Sequence, residues 1–120
     1  MTPPVTSEET PHITAIERSM NVGFRFVNLR APDGGAVEAI YAERWTPQGA
    51  VETYTLRGMT EAIAARFRAE DYPEGDPLWE TTGTVAEVIT ALLELPPHGA
   101  PGAPSTARHA SSSLWVPGAR

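Results

Sequence analysis

The same short turn chemistry occurs twice in this chain, at Pro32-Asp33-Gly34 and at Pro47-Gln48-Gly49, on either side of the run Ala36–Trp45. Proline presets φ for the first turn position, the middle residue tolerates a type I geometry, and glycine takes the left-handed site that closes a three-residue hairpin loop. The flanking runs, Asn21–Arg30, Ala36–Trp45 and Val51–Leu56, are rich in Phe, Val, Ile and Tyr. Strand-like runs bounded by such turns read as an antiparallel meander with the second strand in the middle.

Two three-residue loops also set the register. Phe26 is expected opposite Ile40 and Phe24 opposite Ala42; across the second hairpin Ile40 faces Leu56 and Ala42 faces Tyr54. One face then carries Phe24, Phe26, Ile40, Ala42, Tyr54 and Leu56, with Arg44 opposite Glu52 at its rim, and reads as the core. The other face carries Arg25, Val27, Leu29, Val37, Tyr41, Trp45 and Val51. That is too apolar for a solvated sheet face, so it is expected to be covered by something else.

Met59–Asp71 places Met59, Ile63 and Phe67 at i, i+4 and i+8 among strong helix formers, the spacing of an amphipathic helix. Thr84 with Glu87 three residues on forms a capping-box pattern, and Val85, Val88, Ile89, Leu92 and Leu95 continue as an apolar stripe until Pro96-Pro97. The expected fold is therefore α+β: a three-stranded antiparallel meander followed by two helices packed on one face.

With 120 residues the chain has room for one small domain and some additional segment. Residues 1–19, with three prolines and weak periodicity, read as a flexible tail, and Met20 as an alternative translation start. Residues 96–120, dominated by Pro, Gly, Ala and Ser, read as a second flexible tail, which leaves 20–95 as the α+β domain.

Composition narrows the chemistry. Cysteine is absent and all nine basic residues are arginine, which removes disulfides, thiolate nucleophiles, Cys-ligated zinc, Schiff-base lysines and the P-loop lysine. His12, His98 and His109 all fall in the expected tails. No cofactor, metal or catalytic group is expected. A net charge of −6 argues against direct nucleic-acid or membrane-surface binding, and the lack of signal-like or spanning segments points to the cytoplasm. Gly23-Phe24-Arg25-Phe26-Val27 resembles part of the RNP1 submotif of RNA-recognition motifs, with Arg25 where that family has Gly or Ala. That resemblance implies base stacking; the acidity and the strand order favour core phenylalanines instead.

Three features remain as candidate contacts. The second sheet face reads as a self-association surface, giving a homodimer of a non-catalytic interaction module. Glu70, Asp71, Glu74, Asp76 and Glu80, interleaved with aromatic and proline residues including Trp79, form an acidic stretch suited to docking a basic protein, as an inhibitor or nucleic-acid-mimicking accessory factor would. Leu114-Trp115-Val116 is an apolar island able to add to a sheet edge or fill a pocket, with Trp115 at its centre. A small carboxylate-based hydrolase or carbohydrate binder is a further alternative.

Overall fold

Arg25–Arg30 (β1), Val37–Trp45 (β2), Ala50–Gly58 (β3), Glu61–Arg68 (β4) and Trp79–Gly83 (β5) form one antiparallel sheet in sequence order. Helices Thr10–Asn21 (α1) and Val85–Glu94 (α2) pack together on one of its faces. This computed structural model describes residues 8–30 and 37–106. The fold is α+β, but the expected three-strand, two-helix arrangement is wrong: the sheet has five strands, and one of the two helices lies before it.

The Pro47-Gln48-Gly49 turn closes as its chemistry demands. Gly49 has a φ of 97°, its N–H donates to the Thr46 carbonyl, and Thr46 N–H donates to the Ala50 carbonyl at 2.8 Å. The β2–β3 register is the expected one, with Ile40 opposite Leu56 and Ala42 opposite Tyr54. The β1–β2 register is displaced by two residues, so that Phe26 faces Ala42 rather than Ile40. An even displacement preserves the faces. The pairing is irregular between Leu29 and Arg30; the Pro32-Asp33-Gly34 turn lies outside the described residues.

Met59–Asp71 is not a helix. Spacings of four satisfy a period of two as well as one of 3.6, and β4 uses the former: Ile63 and Phe67 share one face while Ala62, Ala64 and Arg66 share the other. Ala62–Phe67 is buried throughout, held between β3 and β5, so pairing and burial override helix propensity. Trp79–Gly83, expected within a loop, supplies the fifth strand.

The segment expected as an N-terminal tail contains α1. Its fully buried residues are small, Ala15 and Ser19, with Ile16 packed partly buried against the core, a pattern with little apolar signal. Ser19 Oγ donates to the Ile16 carbonyl at 2.7 Å, so the Tyr54 hydroxyl, also at 2.7 Å, donates to Ser19. His12 Nδ1 accepts the Ala86 N–H at 3.1 Å, fastening α1 to the first turn of α2. Burial raises the pKa of Tyr54 above its ordinary value despite the Ser19 bond. α2 itself forms where the capping box places it, with Thr84 as N-cap and Glu87 returning the bond. Those bonds to Thr84 hold the Glu87 carboxyl below its usual range.

Candidate functional site

The sheet register places Arg44, Glu52 and Arg66 in one row across β2, β3 and β4, at the helix-covered face. Arg66 and Glu52 are 2% and 1% exposed. Glu52 Oε2 accepts Arg66 Nε at 3.0 Å and Nη2 at 2.6 Å, while Oε1 accepts Arg44 Nε at 3.1 Å and also its Nη2. The third contact of each guanidinium is a carbonyl: Arg66 Nη1 donates to Pro96 O at 2.7 Å and Arg44 Nη1 to Val22 O at 3.0 Å. Thus the network ties the sheet to the chain just beyond each helix. Arg44 also lies over the Phe24 ring, 5.1 Å from its centroid.

Two guanidiniums share one carboxylate, which leaves one positive charge in excess. The three side chains border a cleft of about 500 Å³ whose other walls include His98, Trp45, Pro47 and Leu92. His98 Nδ1 is buried there without a hydrogen-bond partner. The Arg44–Glu52 pair is legible in the sequence as a cross-strand rim pair. Arg66 is hidden by the helical spacing around it, although a strand over 61–68 would set it opposite Glu52. His98 carries no sequence signal beyond its place in a Pro/Gly-rich stretch.

The expected contact residues are dispersed. Tyr41 and Val51 are buried, so they are not part of any accessible face. The β4–β5 connection supplies cover: Tyr72 packs on Phe67 with ring centroids 5.2 Å apart and on Trp45 at 5.8 Å, and its hydroxyl bonds that of Tyr41. Burial pushes the Tyr72 phenol up to about 12. Val27 and Trp45 are 49% and 59% exposed, Arg25 is exposed, and Leu29 and Val37 are placed only by their strands.

Within the acidic connection Glu70, Glu74 and Asp76 are all exposed, while Asp71 is partly covered and lies 3.7 Å from Arg68. The turn is tight: Gly75 N–H donates to Asp71 O at 2.6 Å, and a Cβ at Gly75 would sit 2.7 Å from the Asp71 Cβ. Glu80 lies on β5, and Trp79 packs against the helix-face core rather than standing free. Trp115 is outside the described residues.

A second, apolar concavity of about 360 Å³ lies between α1 and the β3–β4 turn, bordered by Ile13, Ile40, Leu56 and Met59. Among the described residues no helix is long and apolar enough to cross a membrane, and no group of three or more acidic or histidine side chains is placed to hold a metal ion. No known protein family, curated protein or solved structure matches the chain.

Proposed function

We propose that the chain is a non-catalytic, cytoplasmic interaction module that self-associates through β1. The observation that carries this reading is the character of that strand. β1 is a sheet edge, paired only with β2 among the described residues, and it exposes apolar side chains on both faces: Phe26 on one, Val27 on the other beside Trp45. Exposed edges of this kind add a further strand. A second copy is the occupant favoured here, because an antiparallel dyad at Val27 sets each Arg25 opposite Leu29 of the other copy. Arg25 and Arg30 then do not face each other, and the two Val27 side chains meet at the centre. The contact differs from the broad sheet face expected from sequence, since Tyr41 and Val51 are unavailable to it.

Light scattering after size exclusion tests this reading. The expected result is a dimer that Val27→Glu converts to a monomer with unchanged circular dichroism. A wild-type monomer throughout the micromolar range, or a Val27→Glu dimer, overturns it.

The carboxylates Glu70, Glu74 and Asp76 of the β4–β5 connection support a second reading, docking of a basic protein surface. Binding by that route weakens steeply with salt. It is lost on combining Glu70→Gln, Glu74→Gln and Asp76→Asn.

A further inference from the structure

We infer that the cleft bordered by Arg44, Arg66 and His98 is a binding site for a phosphate group, carried by a small organic monoester or free in solution. The buried Arg66–Glu52 pair is neutral, so the charge in excess is that of Arg44, whose side chain is 27% exposed. Here both Glu52 oxygens are already occupied, each by two guanidinium hydrogens from one arginine. The Arg44 guanidinium therefore brings its positive charge to the wall of the cleft. Each guanidinium has five N–H donors. Three of Arg44's and three of Arg66's go to Glu52 and to the carbonyls of Val22 and Pro96. Of the two, Arg44 is the one with accessible surface, 27% against 2%, and its planar fork suits a multivalent oxyanion.

His98 adds a third group at the same place. Its Nδ1 has no partner, which a buried polar atom seldom tolerates. A phosphate accepts from a protonated imidazole nitrogen and, as the monoanion, donates to an unprotonated one. The volume near 500 Å³ exceeds what a phosphate alone fills, and the walls formed by Trp45, Pro47, Leu92 and Leu93 are suited to an apolar group attached to it. Two carboxylates oppose an anion here: Glu52 is held by the two arginines, while Glu43 accepts only the Trp45 indole N–H at 2.5 Å, a neutral donor that offsets none of its charge.

Calorimetric titration of the full chain with inorganic phosphate and with phenyl phosphate, at matched ionic strength in chloride, tests the assignment. Saturable binding is expected. Arg44→Gln should weaken it by about tenfold or more. This variant keeps the neutral Glu52–Arg66 pair, and circular dichroism checks that it is folded. His98→Ala, outside every helix and strand, should weaken binding severalfold with circular dichroism unchanged. Phenyl phosphate binding more tightly than phosphate assigns an organic monoester, and equal affinity assigns the free ion. Absence of saturable binding by either, or affinity unaltered in both variants, overturns the site. The Val27→Glu variant used for the dimer leaves this cleft's arginines and histidine in place, so the two readings fail independently.

Discussion

The centre of the sheet and its β1 edge are made from similar residues and meet opposite fates. β3 and β4 are buried on both faces, by the helices on one side and with Tyr72 contributing on the other, and their interior includes an arginine and a glutamate as well as Tyr54, Ile63 and Phe67. β1 leaves Phe26 and Val27 substantially exposed. The difference teaches that apolar content alone does not locate the core of this protein. Position in the strand order does, because an inner strand has neighbours on both sides while an edge strand has one.

The largest test of that contrast is a truncation pair. Phe67→Ala should cost about 3–5 kcal/mol by emptying a site with no exposed surface, whereas Val27→Ala, measured on the monomer, should stay within about 0.5 kcal/mol. Urea unfolding reads both, and similar losses at the two positions would break the comparison. Starting the chain at Met20 should destabilise it by at least about 2 kcal/mol, since it removes Ala15 and Ser19 and strips the Tyr54 hydroxyl of its partner. Full stability in that truncation would restore the reading of residues 1–19 as dispensable.

Thr84→Ala should cost about 1 kcal/mol through the lost capping bond to Glu87. Thermal unfolding of that variant measures how far the helix layer depends on its own cap once His12 is also in place.

The smallest effect at neutral pH concerns Tyr72. Its folded-state pKa of about 12 exceeds the ordinary 10.0, so the neutral phenol is favoured in the fold. The associated stability is fully present below about pH 10 and is lost as pH rises toward 12, where the unfolded chain ionises first. Tyr72→Phe should remove that component of the alkaline slope in pH-dependent unfolding; an unchanged slope places the titration elsewhere.

Several of these features can be read without the fold. The β2–β3 hairpin follows from a turn whose glycine must adopt positive φ, and its register carries through to Leu56. The second helix follows from a capping box and an uninterrupted apolar stripe. Glu52 opposite Arg44 follows from the same counting. In contrast, β1 slips by two residues against β2, and no turn residue announces it. Ile63 and Phe67 obey two periodicities at once, so only the presence of β3 and β5 on either side decides for a strand. α1 buries alanine and serine, residues too small and too polar to mark an apolar stripe along a helix.

The candidate cleft divides along the same line. One of its charged pairs is a property of neighbouring strands in a hairpin and is therefore local. Arg66 and His98 join it only when β4 pairs with β3 and the chain after α2 returns to the sheet. Turn geometry and helix capping are settled within a few residues, by sterics and by hydrogen bonds to the backbone, and those parts of this protein are written directly in its sequence. Strand identity in β4, the docking of α1 and the gathering of two arginines around one glutamate depend on burial against partners far along the chain. Such burial is a cooperative property of the whole packed sheet, and tertiary structure alone decides it.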